Sequence, residues 1–233
     1  MARMPRLAVA GQPHLVVQRS TRAHPALVDD IDRRAYLDAL RHVALGGPVA
    51  VHALALLDDC VLLLLTPRDA TDLGRFMQRV NRRYVGGFRQ RHGGHGALWA
   101  GRFQAAALDP ERYLLSAMLL VEQAPVRAGA VGSPIDWPWS SARHHAGRGD
   151  MALITEHPAW WQTGNTPFER EARHDIEVQR LLREEQVAEL LGAARGGWPL
   201  GSAAFIAVAA AGAINRPAQP KPRGRPRRAG PAK

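Results

Sequence analysis

The segment Leu56-Leu57-Asp58-Asp59-Cys60-Val61-Leu62-Leu63-Leu64-Leu65-Thr66-Pro67 constrains the fold of this chain more than any other. Alternate residues of a strand point to opposite faces, so Cys60, Leu62 and Leu64 share one face and Val61, Leu63 and Leu65 the other. Both sets are apolar, so both faces of this strand need a cover. Val49 to Leu56 reads as a preceding strand, and Asp58-Asp59 supplies turn residues between the two. The pair is therefore expected to be a β-hairpin at the centre of a sheet.

The flanking sequence says what kind of sheet. His14 to Arg19 is a short β-rich run and a first strand. Asp29-Asp30 opens a helical pattern through Ile31, Tyr36, Leu37, Leu40 and Val43, with Gly46-Gly47-Pro48 as its stop. After the hairpin, Thr71-Asp72 caps a helix running to about Arg91, broken by Gly93-Gly94-His95-Gly96. Trp99 to Phe103 leads into a short fourth strand. Asp109-Pro110-Glu111 starts another helix, expected to end before Pro125. The order β-α-β-β-α-β with a trailing helix predicts an α+β fold, a ferredoxin-like plait with an antiparallel sheet and helices on one face. The chain divides into residues 1–148 for that domain, 149–215 for a helical C-terminal extension and 216–233 for a basic tail. Within the extension, Thr166-Pro167-Phe168-Glu169 begins one charged helical stretch to about Gly192. The tail is rich in proline and basic residues and has no acid, a composition that builds no core and predicts disorder.

Composition narrows the partners. The formal charge is +10 and the pI about 11.1, which favours a polyanion. Lysine occurs only at Lys221 and Lys233, so arginine supplies the other basic residues. Its fork suits phosphate and guanine, although a GC-rich genome produces the same bias. The lone cysteine, Cys60, excludes an intrachain disulfide and a cysteine-rich zinc site. The N-terminus leads into no signal-length apolar core, and the apolar run Ala203 to Ile214 is too short to span a bilayer. A cytoplasmic, nucleoid-associated protein is the expectation.

An ordered series of short segments carries a family likeness. It comprises Met1-Ala2-Arg3 with Pro5-Arg6, His14 to Arg19, the hairpin, Arg82-Arg83-Tyr84-Val85, and Leu98-Trp99-Ala100-Gly101-Arg102-Phe103. Glu111-Arg112-Tyr113-Leu114-Leu115, Val126-Arg127-Ala128-Gly129 and Trp137-Pro138-Trp139-Ser140-Ser141 complete it, with Trp198-Pro199-Leu200-Gly201 and the basic tail as further marks. The series resembles the REP-associated tyrosine transposases, a branch of the HUH single-strand transposases. That resemblance implies a plait that binds hairpin or single-stranded DNA. Intact members hold Mg2+ or Mn2+ with two histidines and an amide, and cut with a tyrosine.

The resemblance also marks a departure. Where the family has Pro-Asn-His-hydrophobic-His, the histidine positions are Cys60 and Leu62. Where it has Arg-Tyr-Ile-Glu-Leu-Asn-Pro-Val-Arg-Ala-Gly, this chain has Leu119 to Gly129. That alignment puts Leu120 at the nucleophile and Ala124 at the amide. A leucine cannot attack phosphorus or ligate a hard cation. No intact catalytic residue, no metal site and no cofactor are expected. Asp58, Asp59, Cys60 and Glu122 are surrogate ligands in principle, yet Asp-Asp in a hairpin reads as plain turn chemistry and Cys60 as a small buried thiol. Tyr84 and Tyr113 match tyrosines that the family has elsewhere, and His92 and His95 read as solvated loop histidines.

DNA-binding surface is what remains. On the helix of residues 71–91, Leu73, Phe76, Met77, Val80, Tyr84 and Phe88 form the core stripe. Arg75, Arg79, Arg82, Arg83 and Arg89 lie on the opposite arc, and no acid occurs between Leu73 and Leu108. An exposed helix face ordinarily mixes signs, so an unrelieved arginine face points to phosphate, with Arg102 alongside. Trp99 and Phe103 suit either base stacking or the core. In the tail, Arg223-Gly224-Arg225-Pro226-Arg227 resembles an AT-hook, an arm for the narrow minor groove of A·T-rich duplex, or else a generic polycation. The sequence thus reads as a transposase-family DNA-binding protein without strand cleavage. The alternatives are an active metal-dependent transposase using surrogate residues and an RNA-binding plait.

Overall fold

The structure is a computed structural model, and it describes residues 7–21 and 24–211. The tail, with Arg223, Arg225 and Arg227, lies outside the described residues. Four strands form one antiparallel sheet: β1 (His14–Arg19), β2 (Val49–Leu56), β3 (Cys60–Pro67) and β4 (Gln104–Ala107), in the order β2-β3-β1-β4. This is the plait expected from the element order. The hairpin closes at Asp58-Asp59, where the Leu57 N–H donates to the Cys60 carbonyl at 2.8 Å. The turn also serves the rest of the fold. The Asp58 carbonyl accepts from the N–H groups of Ala26 and Leu27, and the Asp58 carboxylate pairs with the largely buried Arg33.

The sheet separates two cores, and residue parity along β3 decides which side chain joins which. Val61, Leu63 and Leu65 enter a cluster with Tyr36, Leu40 and Val43 of α1 (Asp30–Ala44) and Leu73, Phe76, Met77, Val80 and Tyr84 of α2 (Asp72–His92). Trp99 and Phe103 complete this first core. Cys60, Leu62 and Leu64 face the other way, against Leu114, Ala117, Met118, Leu120 and Val121 of α3 (Pro110–Arg127). The two plait helices thus lie on one face, as expected. The trailing helix covers the second face together with part of the extension.

After α3 come α4 (Ala142–His145) and then, in the extension, α5 (Pro158–Trp161), α6 (Pro167–Gln179), α7 (Glu184–Gly196) and α8 (Ala203–Ala211). Val187, Leu190, Ala193 and Ala194 of α7 join the second core. Leu200 pairs beside Leu108 at the end of β4, and its carbonyl accepts from the Asp109 N–H at 2.8 Å. The approach is close enough that a Cβ on Gly201 would lie 2.5 Å from the Cβ of Asp109, which explains the glycine there. Among the described residues no helix is long and apolar enough to cross a membrane.

Two helix boundaries differ from the sequence expectation. α3 does not stop before Pro125 but carries it inside and ends at Arg127. In the last turn a proline removes one backbone donor, and the N–H groups of Ala128, Gly129 and Ala130 still close bonds to Ala124, Val126 and Pro125. The single charged helix expected from Thr166 to Gly192 is two helices, α6 and α7. Thr166 and Glu169 form a reciprocal cap at the start of α6, and the Gln123 side chain holds the intervening segment through the carbonyls of Val178 and Arg180 and the N–H of Leu182.

Two buried histidines make the fold acid-sensitive. His14 Nε2 accepts from the Val9 N–H at 3.1 Å, so its Nδ1 carries the proton and donates to the Gln12 carbonyl at 2.8 Å. His52 sits at a bulge in β2; its Nδ1 donates to the Thr155 carbonyl at 2.6 Å and its Nε2 meets the Thr66 hydroxyl at 2.8 Å. Both arrangements suit a neutral ring, and burial lowers each pKa from 6.5 to about 4. A folded-state pKa below the unfolded one means that the unfolded chain takes up protons first. Stability is therefore full above pH 6.5 and lost as pH falls toward 4. The loss has an upper bound of about 3 kcal/mol per histidine. Urea unfolding at pH 7.5 and 4.5 measures it, and equal stability at both pH values would contradict it.

Candidate functional site

The positions where the sequence resemblance places the family's catalytic residues are buried and apolar. Cys60, Leu62, Leu120 and Ala124 are buried together in the second core, with Leu62 5% and Leu120 2% exposed. They come from β3 and α3, the strand and helix that the family motifs single out. Burial pushes the Cys60 thiol up to about 11, which keeps it protonated, and neither leucine nor alanine offers a ligand atom. These residues do not fit a hard divalent cation. The tyrosines are engaged elsewhere. Tyr36 and Tyr84 belong to the first core across the sheet, where burial raises both phenols and Tyr84 donates to the Ala26 carbonyl. Tyr113 donates to Glu189 at 2.9 Å, tying α3 to α7.

The basic face lies on α2, on the opposite side of the sheet from those positions. Arg75, Arg79, Arg82 and Arg83 are all exposed, and among the described residues none has a carboxylate within ion-pair distance. The pairs Arg75/Arg79 and Arg79/Arg83 are four residues apart. Unrelieved like charges at that spacing cost a few tenths of a kcal/mol each, a cost that a bound polyanion removes. The C-terminal end of α2 differs. Arg91 pairs with Asp29 and Asp32 at the start of α1, and His92 meets Asp32 at 2.9 Å. His92 is thus the last residue of α2, bonded to Asp32 of α1, rather than part of a loop. Arg89 donates to the Gly96 carbonyl and so helps to hold the glycine loop. Arg102 is exposed and lines one groove together with Arg75. Trp99 and Phe103 are 8% and 7% exposed, which places their rings mostly in the core.

Beneath the second face lies a group of which sequence inspection had picked out only Glu122. This glutamate, fully buried on α3, accepts at Oε1 from the Ser141 hydroxyl and meets His145 Nδ1, each at 2.6 Å. Its Oε2 meets His174 Nε2 on α6 at 2.6 Å. The Trp160 ring packs against both imidazoles with centroids 5.0 Å away. Burial opposes ionisation of Glu122, but the two imidazoles outweigh it and hold the carboxyl below the ordinary carboxylate range. The three ligand atoms lie within 4.8 Å of one another, a donor set that a divalent metal accepts. The oxygen-to-nitrogen separations, however, are those of hydrogen bonds. Only the Glu122 position carries a signal in the sequence, as part of the family helix motif. His145 and His174 arrive from other elements, and nothing in their local sequence marks them.

Comparisons with known proteins place this geometry. No family model and no curated protein matches the sequence. Among solved structures, a REP-associated tyrosine transposase bound to a REP hairpin superposes with a TM-score of 0.55 at 15% identity. That match covers 67% of this chain and 99% of the other. A protein of Deinococcus radiodurans R1, provisionally assigned as a transposase, aligns at 19% identity over 49% of this chain and 93% of its own, with a TM-score of 0.35. The second overlap is too loose to carry weight; the first rests on nearly the whole of the matched protein. The four-stranded plait, its order β2-β3-β1-β4 and the helices on both faces give this chain the transposase-like fold of the REP-associated tyrosine transposases.

Proposed function

We propose that this chain binds DNA, in hairpin or single-stranded form, through the arginine face of α2, and that it does not cut it. The observation that carries the reading is the row Arg75, Arg79, Arg82 and Arg83, exposed and, among the described residues, with no carboxylate within ion-pair distance. The solved transposase of like fold was captured on a hairpin, which supports the choice of DNA and of that form. The loss of cleavage is supported by the apolar burial of Cys60, Leu62, Leu120 and Ala124. Arg223, Arg225 and Arg227 add a second contact, to A·T-rich duplex, and the protein works at the nucleoid.

A labelled DNA hairpin with a single-stranded flank tests this by fluorescence anisotropy between 50 and 200 mM salt. Affinity falls steeply, because each neutralised phosphate releases counterions. Replacing Arg75, Arg79 and Arg82 with alanine lowers the slope of log K against log salt by about 2–3. An unchanged slope removes α2 from the interface. The same DNA incubated with Mg2+ or Mn2+ stays intact and gives no covalent adduct. Cleavage by the unmodified protein would instead favour the surrogate-residue enzyme. Preference for an RNA hairpin of equal length would favour the RNA-binding plait.

A further inference from the structure

The buried group on Glu122 has one more imidazole than charge balance requires. A single imidazolium offsets one carboxylate, yet His145 and His174 both direct a ring nitrogen at Glu122, each at 2.6 Å. Two imidazole nitrogens and one carboxylate oxygen are three of the four ligands of a tetrahedral zinc site. They come from α3, α4 and α6, their residues are 0%, 2% and 5% exposed, and the ligand atoms lie within 4.8 Å of one another. The surroundings hold them in place. The buried Ser141 hydroxyl donates to Glu122 Oε1 at 2.6 Å and accepts from the Leu54 N–H, which orients the carboxylate from outside the ligand set. The Trp160 ring packs on both imidazoles. A cavity of about 130 Å3 has Trp160 and His174 in its lining, so solvent reaches the edge of the group.

The packing of α4 and α6 shows what a metal would do there. Of the thirteen residues of α6 only His174 and Val178 are buried, and Phe168 and Ile176 are exposed. Of the four residues of α4, Ala142 and His145 are buried. Apolar burial therefore holds both helices weakly, and in each a histidine is half of what is buried. We propose that Glu122, His145 through Nδ1 and His174 through Nε2 hold a structural Zn2+ that staples α4 and α6 to α3. In the metal-free chain the group rests on its hydrogen bonds. When the ion enters between the rings and the carboxylate, each imidazole carries its proton on the other ring nitrogen, and water takes the fourth place. Bonds of about 2.0–2.2 Å space tetrahedral ligands about 3.3 Å apart, so each 2.6 Å contact opens by about 0.7 Å. Imidazole selects zinc over Mg2+ and Mn2+, which favour oxygen. The site is distinct from the cation that the resemblance implies, which would need ligands from Cys60, Leu62 and Ala124, and it is independent of the DNA-binding reading.

The test uses the untagged full chain, stripped with EDTA and returned to metal-free buffer. The chain takes one Zn2+ in competition with a chromophoric chelator. Zinc at a hundredfold excess over the dissociation constant raises the melting temperature by about 5–10 °C, and Mg2+ at the same concentration does not. Zinc also slows amide hydrogen exchange in α6. His174→Gln and His145→Asn each keep an N–H on the side of the carboxylate, but the nitrogen of an amide ligates no zinc. Whatever their melting temperatures without metal, both variants lose the zinc shift and bind the ion at least about a hundredfold more weakly. If one of them does not fold, the other carries the comparison. His95→Ala, in the exposed glycine loop, keeps the full shift. A group held by hydrogen bonds alone gives no zinc shift in the unmodified chain. That result, a shift that survives in His174→Gln and His145→Asn, or a shift lost in His95→Ala would each overturn the site.

Discussion

Replacing Glu122 with glutamine will destabilise the protein by about 3–5 kcal/mol, the cost of breaking a buried charge-assisted group by removing one partner. Its carboxylate joins three pieces of the molecule directly. Glu122 sits on α3, Ser141 and His145 lie in and before α4, and His174 lies on α6. Ser141 passes the tie to β2, accepting from the Leu54 N–H at 3.1 Å. Glutamine has nearly the same shape but turns one acceptor into a donor, which then faces a ring N–H or the Ser141 hydroxyl. The effect depends on pH with a definite sign. The folded-state pKa is depressed, so the ionised carboxylate contributes stability above the unfolded value of about 4.5 and loses that contribution as pH falls below it. Urea titrations of both proteins at pH 7 and pH 3.5 measure the difference, which should shrink at the lower pH. A cost below about 1 kcal/mol at pH 7 would mean that the group does not hold these elements together. Melting in the presence of EDTA, and with added Zn2+, separates a proton-linked group from a metal-linked one.

Rebuilding the family motif will be as costly. The variant Cys60→His, Leu62→His, Leu120→Tyr, Ala124→Asn inserts four polar groups into a dry cluster and removes two leucines whose burial contributes about 1.5–3 kcal/mol each. We expect a loss of at least 4 kcal/mol in metal-free buffer. Mn2+ should return part of it, about 2.7 kcal/mol at a hundredfold excess over the dissociation constant. Thermal melting with and without Mn2+ reads both numbers, and a labelled hairpin reads nicking. A metal-free variant as stable as the natural chain would show that the cavity was never closed by these leucines. Leu62 and Leu120 belong to one buried cluster between β3 and α3, and so their burial stabilises the contact of that strand with that helix.

Much of the fold is written in local pattern. The four strands follow from short β-rich runs bounded by turn residues, and the hairpin from Asp58-Asp59 between two of them. The stripe from Leu73 to Tyr84 is the core face of α2, because a period of 3.6 residues leaves little freedom in where such a helix must point. Cys60, Leu62, Leu120 and Ala124 stand where the sequence resemblance expects ligands and a nucleophile, and the structure buries all four in one apolar cluster. Where local pattern failed, a weak signal was overruled by its surroundings. Pro125 did not end α3, because near a helix C-terminus one missing donor is a small loss. The charged stretch after Thr166 split because the Gln123 side chain holds the carbonyls of Val178 and Arg180, a contact no window of neighbouring residues contains.

The sequence by itself determined the order of the strands along the chain, the parity of β3 and the arginine face. All of these depend on residue type and spacing within a single element. Tertiary structure alone decided two things. It put the arginine face on one side of the sheet and Cys60, Leu62, Leu120 and Ala124 on the other. It brought His145 and His174, 23 and 52 residues beyond Glu122, onto the same carboxylate. The physical reason is common to both. Hydrogen bonds and ion pairs reach about 3 Å, and which distant side chains come that close is set by how helices pack on a sheet, not by the residues on either side of them.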